Sequence, residues 1–199
     1  LHNRYTRIKR TAFANTKDMR NHASEFVRQY PVVLSTTFSA RSCIFADRPY
    51  DYVIIDEASQ VSADTGFLAL TCAYNSVVVG DTLQLPNVVT DEDRVRLNAI
   101  NEQFQIPMGY DCASNSFLQS VMAVVNDAPI TLLREHYRCH PRIINFCNQK
   151  FYGGSLLIMT EDRGEKNVLE AVRTVKGNHA VNHFNQREID VIKTEVLPP

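Results

Sequence analysis

Two adjacent carboxylates, Asp56 and Glu57, directly follow an apolar run at residues 52–55. A continuous apolar run of this length is typical of a strand buried on both faces of a parallel sheet. In α/β folds, ligands bind at the edge where such strands end. One acid there can hold Mg²⁺, which takes few carboxylates and keeps several waters, while its neighbour acts on an attacking water. A strand that simply ends in a polar turn is the alternative interpretation of this dipeptide.

The same arrangement recurs further along the chain, where the run at residues 76–79 ends in a glycine, Asp81 and, shortly after, Gln84. Glycine lets the chain turn sharply off a strand, and the Gln84 side chain offers both donors and an acceptor. Two parallel strands that end side by side would bring Asp56, Glu57, Asp81 and Gln84 to one rim of the sheet.

A third segment, residues 133–141, places an aromatic ring next to a guanidinium, at Tyr137 and Arg138. The guanidinium suits a phosphate because its rigid fork of donors is always charged. The flat face of a tyrosine ring suits a nucleotide base. This segment therefore carries two groups suited to binding a nucleotide.

These segments together resemble superfamily 1 helicases of the branch that contains the Upf-type RNA helicases and their bacterial relatives. V-I-I-D-E-A-S-Q at residues 53–60 resembles motif II, the Walker B motif, and V-G-D-T-L-Q-L-P at residues 79–86 resembles motif III. The Y-R-x-H-P core of residues 133–141 resembles motif IV, followed by a matching stretch at 151–156, and residues 32–40 resemble the family's nucleic-acid-contacting motif. One departure is Asn87, which stands where a second proline is common.

The resemblance implies an α/β fold with a RecA-like parallel sheet flanked by helices. Residues 1–128 would form an incomplete first RecA-like domain with a basic N-terminal helical segment, and residues 129–199 would begin a second one. The sequence contains no G-x-x-x-x-G-K-[ST] phosphate loop, and the family's last motifs are also missing. We therefore interpret the chain as an internal fragment of a longer helicase and expect it not to hydrolyse ATP appreciably by itself.

The resemblance also implies a role for each residue of the hydrolytic site, with ATP and Mg²⁺ as cofactors. Asp56 would bind Mg²⁺ through water, and Glu57 would orient and deprotonate the attacking water. Gln84 would contact the γ-phosphate and that water. Arg138 would reach across the cleft as an arginine finger, and Tyr137 would stack on the adenine.

Two further assignments concern the ribose and the nucleic acid. Glu188 would bond the ribose, while Thr36 and Thr37 would bind phosphates of single-stranded DNA or RNA without reading its sequence. ATP-driven closure of the cleft would then move the parent protein along the strand, and the resemblance implies a 5′→3′ direction.

Composition fits an intracellular nucleotide-binding protein without identifying one. The net charge is −1, with 44% hydrophobic and 22% charged residues, as in an ordinary globular protein. Seven Lys or Arg against two acids in residues 1–28 could follow a phosphate backbone, although a solvated helix face is the commoner explanation. Five cysteines without a C-x-x-C pair favour reduced thiols in the cytoplasm. No apolar run is long enough to cross a membrane.

Local patterns predict helices at residues 16–30, 62–74, 114–125, 141–151 and 188–196. They also predict a strand starting at Val32 and a turn-rich loop over residues 87–111. Residues 130–133 would start or lead into the second RecA-like domain. Three other functions stay open: a metal site, a non-catalytic interaction module that kept the fold, and an ATPase coupled to something other than unwinding. The metal site would use a group of four residues, namely His136, Cys139, His140 and Cys147.

Overall fold

The computed structural model describes residues 12–44, 49–174 and 185–197. The chain divides into two compact units, Leu1–Pro129 and Ile130–Pro199, which are described separately here. In both units, short parallel strands are flanked by helices. This confirms the predicted mixed α/β class and agrees with part of a RecA-like helicase domain.

The first described elements of the first unit are two short helices, α1 (Thr16–Asn21) and α2 (Ala23–Gln29), where one helix over residues 16–30 was predicted. His22 separates them because its backbone leaves the helical region, with φ −117° and ψ 36°. Its ring Nδ1 lies 3.1 Å from the Asp18 carbonyl oxygen and 2.9 Å from an Asp18 carboxylate oxygen. The predicted single helix is therefore divided at His22.

The central feature of this unit is a pair of parallel strands, β1 (Tyr50–Ile55) and β2 (Ala73–Val78), joined by helix α3 (Ala63–Leu70). The strand–helix–strand order confirms the prediction, although α3 is shorter than residues 62–74. In the register, Ile55 lies opposite Val78, so both strands end at the same edge. The two acid-bearing turns therefore follow neighbouring strand ends.

One face of this sheet is covered and the other is open. Ile55 packs in a core with Ala58, Ala69, Phe117 and Leu118. The last two residues begin helix α5 (Phe117–Val124), whose start has a complete capping box between Ser116 and Gln119. On the other face, Tyr52 and Ile54 of β1 are exposed by 65% and 68%. The predicted burial of the strand on both faces is therefore wrong for the described part of the sheet.

The expected loop over residues 87–111 contains a 14-residue helix, α4 (Asp91–Phe104). Thr90 caps it by accepting the Asp93 N–H, and three acids occupy its first turn, where they favour the positive end of the helix dipole. Arg96 pairs with Glu92 one turn earlier. The predicted turn-rich loop is therefore wrong for residues 91–104, which form a helix.

The strand predicted at Val32 is also wrong. This stretch has no strand partner among the described residues, and a β-strand depends on its neighbour for backbone hydrogen bonds. Val32 and Leu34 are instead exposed by 76% and 90%.

The second unit is built on a short parallel pair, β3 (Glu135–His136) and β4 (Leu157–Ile158), with helix α6 (Pro141–Phe151) between them. The bounds of α6 are those predicted. Buried Asn148 uses its side-chain amide to accept from the Leu156 N–H at 2.9 Å and to donate to the Leu156 carbonyl at 3.3 Å. This amide fixes the approach to β4.

The late helix begins earlier than predicted and changes type. Helix α7 (Gln186–Val191) continues as one π-helical turn over Ile192–Val196. Among the described residues, no helix has the length and apolar character required to cross a membrane.

Candidate nucleotide site

The turn after β1 and the turn after β2 are bonded directly to each other. The Val79 N–H donates to the Ile55 carbonyl at 2.8 Å, and the Ala58 N–H donates to the Val79 carbonyl at 2.9 Å. Gly80 packs so closely that a Cβ there would lie 3.2 Å from the backbone nitrogens of Ala58 and Ser59. The structure therefore joins the turn that carries Asp56 and Glu57 to the turn that leads to Gln84.

Glu57 has a left-handed backbone, with φ 51°. This conformation costs a non-glycine residue about 1–2 kcal/mol, and such strain clusters at functional sites. The turn is held by the Gln60 N–H, which donates to the Glu57 carbonyl at 2.9 Å, and by the Glu57 N–H, which donates to an Asp56 carboxylate oxygen at 2.9 Å. Both acidic residues are exposed at the sheet edge.

Gln84 is held by Asp81, the acid three residues before it. The Gln84 Nε2 donates to Asp81 Oδ2 at 3.1 Å, while the Leu83 N–H donates to Asp81 Oδ1 at 2.9 Å. Gln84 lines an open depression, together with Gln60, Leu83, Leu85 and Pro86. Because Asp81 takes one amide hydrogen, the amide oxygen of Gln84 and its second hydrogen stay available for a ligand.

Tyr137 and Arg138, in the second unit, lie on the turn between β3 and α6. The Tyr137 hydroxyl donates to the Glu135 carboxylate, and this bond raises the pKa of the phenol because it stabilises the protonated form. Arg138 is exposed and makes no hydrogen bond or ion pair with any described residue. Its guanidinium is therefore available to an anion.

The threonines predicted to contact nucleic acid lie in a tight turn before a 3₁₀ segment, Ala40–Cys43. The Thr36 hydroxyl accepts a hydrogen bond from the Ser39 N–H at 3.3 Å, and this bond stabilises the turn. Thr37 is half-buried and Phe38 beside it is exposed by 81%.

Part of the basic segment of residues 1–28 lies outside the described residues, including Arg4, Arg7, Lys9 and Arg10. Of the basic residues that follow, Arg20 donates to the Ser42 carbonyl at 3.2 Å, and Arg28 pairs with Glu25 at 2.8 Å. The first contact brings α1 next to the 3₁₀ segment. The second occupies Arg28 with a neighbouring acid.

Glu188 lies in the first turn of α7 and accepts from Asn185 Nδ2 at 3.0 Å. The Asn185 side chain in turn caps the helix by accepting from the N–H groups of Arg187 and Glu188. A carboxylate in the first turn of a helix is in any case favoured by the helix dipole. The ribose assignment stays a prediction.

The metal alternative of His136, Cys139, His140 and Cys147 is not supported. His136 Nε2 accepts from the Cys139 N–H at 2.9 Å, so this lone pair is occupied. Within the described residues, the single group of three metal-type ligands combines His140 with Asp162 and Glu165. All five cysteines are free thiols.

The chain is similar to several known proteins. A family model described as an AAA domain matches residues 2–92. The mouse DNA replication ATP-dependent helicase/nuclease DNA2 is 26% identical over 135 residues, which is 68% of this chain. An ATP-dependent helicase of Mycoplasma genitalium, MG140, is 27% identical over 176 residues, or 87% of this chain, and the mouse 5′-3′ DNA helicase ZGRF1 is 28% identical over 151 residues, or 75%.

The predicted helicase resemblance is confirmed. The chain spans only 11%, 16% and 7% of the lengths of these three helicases. The matched portion of the AAA domain ends shortly after the second acid-bearing turn, so it includes both joined turns of the first unit.

Sequence reasoning missed several residues that contact the candidate site residues. Asp81 had been noted at the rim, but its hold on Gln84 becomes visible only in the structure. Thr160, Asp162 and Glu165 contact the turn of Tyr137 and Arg138 from a downstream loop. The local sequence T-E-D-R-G-E gives no pattern that points to a partner more than twenty residues earlier, so no signal could have found them.

Proposed function

We propose that this chain supplies the water-activating acid, the phosphate sensor and the arginine finger of an ATP-dependent nucleic-acid motor. The joined turns after β1 and β2 carry the proposal, because Val79 bonds both Ile55 and Ala58 and so couples the acid turn to the sensor turn. A change at the γ-phosphate felt by Gln84 would then reach Glu57 through two backbone hydrogen bonds.

In this proposal Asp56 holds Mg²⁺ through water and Glu57 activates the attacking water. Both are exposed carboxylates beyond a parallel strand end, which suits a hydrated ion of this kind. The strained backbone of Glu57 supports a functional role, since the fold keeps a left-handed glutamate where a glycine would be less costly.

Tyr137 and Arg138 would bind the same nucleotide from a second RecA-like domain that begins near residue 129, with Glu188 at the ribose. Arg138 supports this role, because its guanidinium has no partner among the described residues and is therefore ready to bind phosphate. Thr36 and Thr37 would position single-stranded DNA or RNA. By analogy with relatives named as DNA helicases, we propose DNA as the first polymer to test and 5′→3′ as the direction.

The test is ATP hydrolysis by the full-length protein that contains this chain, with and without single-stranded DNA or RNA. Stimulation by one polymer would identify the track. Glu57→Gln should keep ATP binding and lose on the order of 10²–10⁴ in turnover, and Arg138→Ala on the order of 10³–10⁵. Unchanged turnover in Glu57→Gln would refute its role, and ATP-independent nucleic-acid binding without hydrolysis would favour the non-catalytic module.

A further inference from the structure

The turn of Tyr137 and Arg138 is anchored at its upstream end by the β3–β4 pair. The Met159 N–H donates to the His136 carbonyl at 2.9 Å, and the Leu157 N–H donates to the Arg134 carbonyl at 2.8 Å. The His136 ring then accepts the Cys139 N–H at 2.9 Å and so folds the turn back on the strand. Tyr137 and Arg138 lie between His136 and Cys139, the two residues that make these contacts.

The downstream end of the same turn is anchored by the loop of residues 160–165. The Thr160 hydroxyl donates to the Cys139 carbonyl at 2.7 Å. One residue later, the His140 Nε2 lies 3.3 Å from a Glu165 oxygen and 3.5 Å from an Asp162 oxygen. Arg142, the second residue of α6, also binds Asp162, with its Nε 2.9 Å from Oδ2.

The two ring nitrogens of His140 make different contacts, and these contacts determine which nitrogen carries the proton in the neutral ring. Nδ1 accepts the Arg142 N–H at 3.2 Å and caps α6, so in the neutral ring the proton is on Nε2. This Nε2–H points at the two carboxylates. A metal ion bound through Nε2 would need the proton on Nδ1 and would break the cap, so the geometry is that of a hydrogen bond and not of a metal centre.

The two acids of the loop are themselves held by backbone donors. The Gly164 N–H donates to Asp162 Oδ1 at 2.9 Å, and the Arg163 N–H donates to Glu165 Oε2 at 2.8 Å. These bonds within the loop fix the positions of its two carboxylates. The loop therefore presents two fixed acceptors and the Thr160 hydroxyl donor to the turn that carries Arg138.

We infer that the loop of residues 160–165 is a clamp that positions Arg138, with Thr160 as its main positioning residue. This inference rests on the proposed role of Arg138 at the nucleotide. Thr160 bonds the carbonyl of Cys139, the residue directly after Arg138, so the hydroxyl fixes the backbone from which the guanidinium extends. A finger held in place before the transition state loses less entropy on reaching it.

The decisive variant is Thr160→Val, which removes the hydroxyl and keeps the branched shape, with Thr160→Ser as the conservative rescue. In the full-length protein, we expect Thr160→Val to lower kcat for ATP roughly tenfold to hundredfold with little change in KM. Thr160→Ser should restore kcat, and Thr131→Val, an exposed threonine of the same unit, should have no effect.

A double variant separates positioning from a merely structural role. If Thr160 acts through Arg138, then Thr160→Val should cost nothing further in an Arg138→Ala background. The same factor of loss in both backgrounds would overturn the inference, as would an unchanged kcat in the single variant.

Hydrogen exchange of the full-length protein tests the clamp without relying on hydrolysis. Peptides that cover residues 137–142 should exchange roughly fivefold faster in Thr160→Val, as expected for one lost hydrogen bond. Faster exchange in a protein that does not hydrolyse ATP would keep the clamp and reject the proposed function. Unchanged exchange would reject the clamp, whatever the activity.

Discussion

The backbone N–H of Asn87 donates a 2.8 Å hydrogen bond to the carbonyl oxygen of Ser59. This bond ties the end of the sensor turn to the segment after the two acids. Asn87 is the position where the helicase motif commonly has a second proline, which has no N–H to donate. Asparagine at this position therefore allows a backbone hydrogen bond that a proline could not make.

We expect Asn87→Pro to destabilise this region even though it restores the common motif. The substitution leaves the Ser59 carbonyl without its donor, which costs roughly 1–3 kcal/mol for a group at a largely buried residue, since Ser59 is exposed by only 2%. Asn87→Ala keeps the N–H and is the matched control. Thermal unfolding of the full-length protein would check this, and equal melting temperatures for the two variants would contradict it.

Particular residues show how far the sequence could predict this fold. The two strands and α6 were predictable because apolar runs and the His140–Pro141 start are local signals. The sequence did not predict helix α4, because the turn-forming residues in the stretch 87–111 indicated a loop. The local signals for a helix were the Thr90 cap and the acids that follow it. The exposure of Tyr52 and Ile54 was not predictable, since a sheet face is covered or open according to elements remote in sequence.

The candidate site divides in the same way. The placement of Asp56, Glu57 and Gln84 in turns at one sheet edge was predictable, because each turn follows an apolar strand. The parallel register that joins the turns follows from the strand–helix–strand order. The clamp around Arg138 was not predictable, because its bonds join residues far apart along the chain.

The left-handed backbone of Glu57 predicts a trade between stability and turnover. Glu57→Gly should relieve the strain and stabilise the protein by about 1 kcal/mol, because glycine adopts positive φ without a Cβ clash. It should lose turnover as completely as Glu57→Gln, which keeps the strain. The check is the unfolding midpoint of both variants beside their ATPase rates. A glycine variant no more stable than the glutamine variant would show that the turn is unstrained.

Gly66 in α3 predicts a different kind of sensitivity. A Cβ at this position would lie 2.2 Å from the ring of Phe117, so the two helices pack without room for a methyl group. Gly66→Ala should therefore destabilise the first unit, since overpacking of a core typically costs about 1–3 kcal/mol.

A second substitution shows whether the clash is the cause. Phe117→Ala removes the Cγ and Cδ2 atoms that would lie 2.2 Å from the new methyl carbon, so Gly66→Ala should cost less in a Phe117→Ala background than alone. Urea denaturation of the four proteins in this cycle gives the coupling. Strictly additive losses would mean that Gly66 matters for another reason.

The loop acids predict how the clamp responds to pH. The Gly164 N–H and the Arg142 guanidinium lower the pKa of Asp162, and backbone donors together with His140 lower that of Glu165. A carboxyl whose pKa is lower in the folded state stabilises the fold above its unfolded pKa, about 4. That stabilisation is lost as the pH falls through the lower, folded value.

The full protein should therefore lose stability between about pH 5 and pH 3 by more than a variant with Asp162→Asn and Glu165→Gln. The amides cannot titrate, so the two proteins should differ most near neutral pH and converge in acid. Glu161→Gln, which neutralises an exposed neighbouring acid, is the matched control. Urea midpoints at each pH make the comparison, and a gap that stays constant down to pH 3 would show that these carboxylates do not stabilise the fold through their charge.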